Sequence, residues 1–385
     1  MDDVRKLALQ FHSHIDSDID FHFALTQIEG CQLTAAKIPS WEQRDDLIFP
    51  PRLALEQCSS EETARYKATL LSGNSFVDLT GGFGVDFAFI APNFKKAVYI
   101  EQKKDLCEIA RHNWKILGLD SVSVENIDCV EYLKNMSPVD VIFIDPARRS
   151  ISGKKTIAIE NAEPNILEIN DLMLEKSSTI LIKLSPMLDI SQSWKKLKQV
   201  AEVHVVGVDN ECKELLFLLK QQQVQEPQIH CVNIISNEKI EKISFYHSEE
   251  KNCPVEYTSK IEEYLYEPNV TLLKAGFFKM LAQLYPVQKL HPDSHLYTSK
   301  KLVPDFPGRT FKVDGFSSFN KKELKHLLHD ISKANLTVRN FPIGVEDLRK
   351  KLRISDGGEV FLFATTLADG KRVLVKGFTS PKPAR

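Results

Sequence analysis

Carboxylates fall where short apolar runs stop in this sequence, and glycines follow the first of them. The run Phe76-Val77-Asp78-Leu79-Thr80-Gly81-Gly82-Phe83-Gly84-Val85-Asp86 reads as a strand entering a glycine-rich turn and then a helix. Gly82 and Gly84 permit a tight turn and leave no Cβ between backbone and ligand. A dinucleotide-binding turn would carry a third glycine three residues on, where this chain has Phe87. Asp78 and Asp86 would repel a phosphate, whereas they suit a ligand bearing an ammonium and a sulfonium. One run later, KAVYIEQ ends in Glu101 and Gln102, with the carboxylate placed to accept both hydroxyls of a ribose. Asp128 and Cys129 follow in ENIDCVEYL, where the carboxylate could accept a hydrogen bond from an adenine amino group. Any one of these carboxylates is as well explained by a helix N-cap or a surface charge. Three at the ends of three successive runs point to one ligand.

The elements that must position them alternate from Phe76 onward. The apolar runs are FVDL, KAVYI, SVSVENI, DVIFI, TILIKL, EVHVVGV and IHCVNII, and amphipathic stretches such as DLCEIARHNWKILG and ISQSWKKLKQV separate the first six. Seven strands with crossover helices predict an α/β fold, a seven-stranded Rossmann-like sheet covered on both faces. Ligands of such sheets lie beyond the carboxyl ends of the strands, where strand order reverses, and there the unusual residues fall. Before the sheet, VRKLALQF and ETARYKATLL have helical spacing. After about residue 245 the pattern loosens, and from Arg309 a compact strand–helix–strand–helix–strand–strand unit follows, its last two strands joined at Asp369-Gly370. The expected organisation is an N-terminal helical region (1–70), the sheet domain (71–245) and two small α+β domains (246–308 and 309–385).

The motifs DLTGGFGVD, YIEQ, NIDCVEYL and IDPARR resemble those of class I S-adenosylmethionine-dependent methyltransferases. Together with LALEQCSSEETARYKA, IKLSPMLDI and NECKELL, they more closely resemble a bacterial family whose catalytic domain is followed by a ferredoxin-like and a C-terminal THUMP-like domain. The resemblance implies S-adenosylmethionine as cofactor. Asp78, Thr80, Gly82 and Gly84, with Gly81, Phe83 and Asp86, would surround its methionine part, Glu101 and Gln102 its ribose, and Asp128 and Cys129 its adenine. Asp145 and Pro146 would border the transferable methyl and the acceptor, making Asp145, Pro146 and Arg148 the catalytic turn. Base-amino methyltransferases carry Pro-Pro and a stacking aromatic ring here, and Ala147 and Arg148 replace the second proline and the ring. A guanidinium face or a phosphate contact is expected instead, with Arg148, Arg149 and Lys183 on the substrate. Enzymes that methylate uracil carbon hold a nucleophilic cysteine after the fifth strand, and Ile182-Lys183-Leu184-Ser185-Pro186-Met187 has none. Asp145 is therefore expected to orient or deprotonate a nitrogen or oxygen acceptor.

Charge is uneven along the 385 residues. From Arg309 on there are 16 Lys and Arg against 8 Asp and Glu, which leaves 34 against 44 in the remainder. A basic end on an acidic body suits a polyanion, and Arg349, Lys350 and Lys351 with Arg353, Arg339, Lys371, Arg372 and Lys376 are its candidate phosphate contacts. THUMP-like domains imply RNA as that partner, hence methylation of an RNA base. The alternatives are a protein or small-molecule methyltransferase and a non-catalytic RNA-binding protein. Seven scattered cysteines without a CxxC pair suggest neither a metal site nor a disulfide scaffold. The lack of a membrane-length apolar run or a signal-peptide pattern predicts no membrane association and a cytoplasmic location.

Overall fold

The computed structural model describes residues 20–44, 46–148, 158–222, 224–235 and 239–380. The expected helix in VRKLALQF, the substrate candidate Arg149, the side chain of Arg148 and the terminal PKPAR lie outside them. The chain forms two units. The first runs to Val208 and takes in Lys213–Gln228; the second takes Asp209–Cys212, Ile229–Ile235 and the chain from Lys239.

Helices α1 (Phe21–Lys37), α2 (Arg52–Gln57) and α3 (Glu61–Leu70) precede the first unit's sheet. Ser60 caps α3 by accepting the Thr63 N–H, and Glu61 and Glu62 occupy the first turn, where the helix's positive end favours acids. Its inward face carries Thr63, Ala64, Tyr66 and, against the usual rule for a lysine, Lys67. Strands and helices then alternate: β1 (Ser75–Asp78), α4 (Val85–Ile90), β2 (Lys96–Glu101), α5 (Lys104–Ile116), β3 (Val122–Asn126), α6 (Cys129–Asn135) and β4 (Val139–Ile144). A short β5 (Ala147–Arg148) pairs antiparallel with β6 (Ala162–Glu163). The unit finishes with α7 (Ile166–Lys176), β7 (Ser177–Leu184), α8 (Ile190–Lys196), β8 (Val200–Val208) and β9 (Glu211–Lys220).

Within the first unit the strand order is β3-β2-β1-β4-β7-β9-β8. β1 pairs in parallel with both β2 and β4, so the order reverses between β1 and β4 and opens a crevice past their carboxyl ends. The seventh strand differs from the expected IHCVNII. It is β9, which enters antiparallel against β7. Asp209 and Asn210 both have positive φ (46° and 64°), the geometry of a tight hairpin turn that returns β9 beside β8. Leu215–Leu219 read equally well as helix or strand, because a strand buried on both faces shows no alternation.

The second unit holds β10 (Gln228–Ile235), β11 (Lys239–Tyr246), α9 (His247–Asn252), β12 (Tyr264–Pro268), α10 (Val270–Ala275), α11 (Lys279–Leu284), β13 (Gln288–Lys289), β14 (Tyr297–Ser299), β15 (Gly308–Ser318), α12 (Lys321–Leu327), β16 (Asn335–Arg339), α13 (Val345–Leu352), β17 (Val360–Thr366) and β18 (Arg372–Thr379). A seven-stranded sheet runs β13-β14-β12-β15-β18-β17-β16. β15 pairs with β12 through Gly308–Lys312 and with β18 from Phe311 to Ser318, so one strand serves both small α+β regions. Alternate residues of β17 and β18 feed two cores, Phe363 and Val375 one, Leu362 and Leu374 the other. The helix expected over 321–334 stops at Leu327, and Asp330 follows at φ 65°, which breaks helical geometry.

Candidate active site

The crevice holds a cavity of about 1700 Å3, lined among others by Asp78, Gly82, Glu101, Asp128, Asp145 and Lys183. Asp78 closes β1 and is 1% exposed. Its Oδ1 accepts the Thr80 N–H at 2.9 Å, and among the described residues no cation pairs with it. Burial pushes its carboxyl well above the usual carboxylate range, and the charges of Asp86, Asp145 and Glu101 add to the effect. A buried carboxylate without a counter-ion is costly, and a cationic ligand relieves that cost. Gly82 has φ 57°, and a Cβ there would meet nothing closer than the Thr80 carbonyl at 3.9 Å, so bare backbone faces open space. These two observations fit the sulfonium and ammonium of S-adenosylmethionine.

The loop also fixes its neighbours. Glu101 accepts the Gly82 N–H at 2.9 Å on Oε2 and the Lys103 N–H at 2.8 Å on Oε1. Each oxygen keeps a second lone pair for a ribose hydroxyl. The Tyr99 hydroxyl donates to the Gly82 carbonyl, and the Gly81 N–H donates to the Ile100 carbonyl at 2.8 Å. A Cβ on Gly84, at φ 85°, would lie 2.4 Å from the Trp114 ring, so close packing as well as backbone conformation requires glycine there. Phe83 is an anchor, 5% exposed and edge-on to Trp41 at 5.6 Å between ring centres. Asp128 caps α6 by accepting the Val130 and Glu131 N–H groups at 2.9 and 3.0 Å. Its Oδ2 accepts from Gln102 at 2.8 Å, which brings both residues and Cys129 to the cavity wall beyond β2 and β3.

Around Asp145 lies a network of charges that no single motif announces. The Lys183 ammonium donates to Asp145 Oδ2 at 2.6 Å and to Ser59 Oγ at 3.0 Å, with Asp86 Oδ2 at 3.5 Å. Ser59 donates to Asp86 Oδ2 at 2.7 Å. Lys67, fully buried on α3, lies 3.1 Å from Asp86 Oδ1 and donates to both oxygens of Glu214 on β9 at 2.6 and 2.7 Å. Burial disfavours the charge on Lys183, but Asp145, Asp86 and Glu214 outweigh it and hold the ammonium firmly protonated. Burial likewise opposes charge on Asp86, yet Lys67 and Lys183 draw its pKa below the ordinary value. The Asp145 N–H donates to Thr80 Oγ1 at 2.6 Å, tying the turn after β4 to the glycine loop.

The structure therefore brings together Asp78, Thr80, Gly81, Gly82, Gly84, Glu101, Gln102, Asp128, Cys129, Asp145, Pro146 and Lys183 on one cavity. Asp86 also reaches its wall, but its oxygens are committed to Ser59, Lys67 and Lys183. Ser60 and Thr63 serve the helix cap. Lys67, Glu214 and Ser59 escape sequence reasoning. The available signal was polarity out of place, a lysine on the inward face of α3 and a glutamate opening the apolar run of β9. Cys58 and Cys129 line the cavity, but burial raises both thiols, Cys129 to about 11, so neither is a thiolate near neutral pH.

In the second unit the expected basic cluster divides. Arg349 is held by Asp356 at 2.7 Å and by the Ala334 carbonyl at 3.2 Å. Arg309 and Arg339 share the buried carboxylate of Glu267, Lys371 pairs with Asp369 and Lys376 with Asp314. Lys350, Lys351, Arg353 and Arg372 are exposed and lack an ion-pair partner among the described residues. Phe341 packs on Phe319, with ring centres 4.6 Å apart, as an apolar contact at the entry to α13.

A parallel sheet reversing between β1 and β4, with an acidic, bare-backbone loop at the reversal, defines a class I methyltransferase. Residues 264–307 match the model of a ferredoxin-like domain and residues 308–376 that of a THUMP-domain-like family. A protein from Porphyromonas gingivalis W83, designated a methyltransferase and known from its crystal structure, is 35% identical with a TM-score of 0.86, covering 98% of each chain. Proteins from two strains of Mycobacterium tuberculosis, named as uncharacterized S-adenosylmethionine-dependent methyltransferases, are 22% identical over 334 residues, 86% of this chain and 88% of theirs. The chain belongs to this family of S-adenosylmethionine-dependent methyltransferases with ferredoxin-like and THUMP-like C-terminal regions. No described helix is long and apolar enough to cross a membrane.

Proposed function

We propose that this methyltransferase acts on RNA, placing the methyl on a nitrogen or oxygen without a covalent enzyme–substrate intermediate. The observation that carries the RNA reading is the THUMP-like region at 308–376, together with Lys350, Lys351, Arg353 and Arg372 within it, exposed and without an ion-pair partner among the described residues. When bound, S-adenosylmethionine supplies an electrophilic methyl whose sulfur leaves readily. The protein's part is to hold donor and acceptor in line and to take a proton. Asp78 and the Gly82 backbone receive the cationic donor, and Glu101 orients its ribose. Asp145, steadied by Lys183, faces the acceptor and accepts its proton. The raised thiols of Cys58 and Cys129 support a route without a cysteine nucleophile. Incubation with methyl-tritiated donor and either cellular RNA or protein extract tests the reading. Label is expected in RNA, and label confined to protein would refute it.

A further inference from the structure

We infer that the acceptor is a hydroxyl of the RNA sugar, not a base nitrogen, with Asp145 as the proton acceptor and Lys183 as the cation that stabilises the oxygen as it loses its proton. The inference rests on the RNA reading above and narrows it.

The argument starts from the charge that develops on the acceptor. A ring nitrogen or an exocyclic amine attacks through its lone pair and becomes more positive as the new bond forms. A cation beside it is then unfavourable. A sugar hydroxyl is a poor nucleophile until its proton departs, and it becomes more negative as that happens. It gains from a base and a fixed cation placed together. This site provides that combination. The Lys183 ammonium lies 2.6 Å from Asp145 Oδ2, so any acceptor within hydrogen-bond reach of the carboxylate is also within a few ångströms of the cation.

That cation cannot swing away. Its side chain is 13% exposed, and besides Asp145 it is held by Ser59 at 3.0 Å and Asp86 at 3.5 Å. Asp86 is held in turn by Lys67, and Lys67 by both oxygens of Glu214. Asp145, Lys183 and Glu214 all reach the cavity wall, while Lys67 lies behind them, fully buried. Ser59, Lys67, Asp86 and Glu214 are positioning residues that preorganise the Asp145–Lys183 pair, so no reorganisation is needed when charge develops. The turn after β4 agrees with this assignment. Asp145-Pro146-Ala147-Arg148 contains no aromatic side chain on which a base could stack.

The step balances as follows. The hydroxyl proton passes to the Asp145 carboxylate, the oxygen forms its bond to the methyl carbon, and the carbon–sulfur bond breaks with its electron pair remaining on sulfur. The products are an O-methylated sugar and a neutral thioether, with one proton on Asp145 to be released to water.

The test uses the full chain with a deuterated-methyl donor, unmodified RNA and DNA of the same sequences, and digests each to nucleosides for mass spectrometry. Label on ribose in the RNA, with the DNA unlabelled, is expected. Label on a base nitrogen, including an amide N–H of guanine or uracil, overturns the hydroxyl assignment and leaves the RNA reading standing. Label in neither nucleic acid but in added protein overturns the RNA reading itself. Independently, Lys183→Met should cut turnover about a hundredfold or more while donor affinity, read by calorimetry, stays within about threefold, and Lys183→Arg should recover part of the loss. Unchanged turnover in Lys183→Met with intact donor binding would overturn the role given to the cation.

Discussion

The two units treat charge in opposite ways. The first buries Lys67, Asp86 and Glu214 almost completely and interlocks them, while the second carries Lys350, Lys351, Arg353 and Arg372 exposed and unpaired among the described residues. Interlocked charges in a poorly polarisable interior are strongly coupled and fixed in position, which suits chemistry at one atom. Exposed charges are screened and nearly independent, which suits reading a phosphate backbone whose position varies. The same residue types are thus suited to precision in one unit and, on the proposed RNA reading, to adhesion in the other, and burial is the variable that separates them. Arg349 and Glu267 show that the second unit also contains ion-paired charges.

Substitutions should separate these two regimes, with the largest effect at the reacting end. Asp145→Asn is expected to lower turnover by about 10²- to 10⁴-fold while leaving donor binding largely intact, as measured by single-turnover kinetics beside calorimetry. Equal losses of both would make Asp145 a binding residue only. Next, Lys67→Met should cost about 3–5 kcal/mol in denaturant unfolding, because it strands Glu214 and Asp86, and the double change Lys67→Met/Glu214→Leu should recover much of it. Lys350→Ala should stay within about 0.5 kcal/mol. Comparable costs for Lys67 and Lys350 would abolish the contrast between the units.

Asp78 provides a finer probe. Its carboxyl is held protonated above the usual range by burial, and a bound cation would favour the ionised form, so donor binding should release a proton. Affinity should then rise with pH above about 4, the ordinary carboxylate value, until the raised pKa of the free protein is passed. Calorimetry in buffers of different ionisation enthalpy measures that proton, and a heat independent of buffer would contradict the assignment. The smallest effects belong to the surface. Reversing Lys350, Lys351 or Arg372 should each flatten the salt dependence of RNA binding by about one counterion, whereas Arg349→Ala should lower stability and leave that slope unchanged.

Much of the catalytic unit was legible because local rules coincide there. Apolar runs of strand length, the glycines after Asp78 and acids at strand ends each follow from short-range chemistry, and together they located the crevice. The same locality explains the misreadings. β9 lacks alternation because both its faces are buried, so it is missed and IHCVNII, itself a strand, is counted as the seventh. Asp356, which pairs with the expected phosphate contact Arg349, is likewise a neighbour the sequence does not display.

The sequence by itself determined the first parallel strands of the sheet, the glycine loop and the position of Asp145 at the end of β4, since periodicity and turn chemistry act over a few residues. Only the tertiary structure decided what surrounds Asp145. Ser59, Lys67, Asp86, Lys183 and Glu214 come from the region before α3, from α3 itself, from α4, β7 and β9, and meet because strand order, not chain order, sets which ends are neighbours. An ion pair between residues 147 positions apart leaves no periodic trace in a sequence, because its energy depends on a distance that folding alone creates.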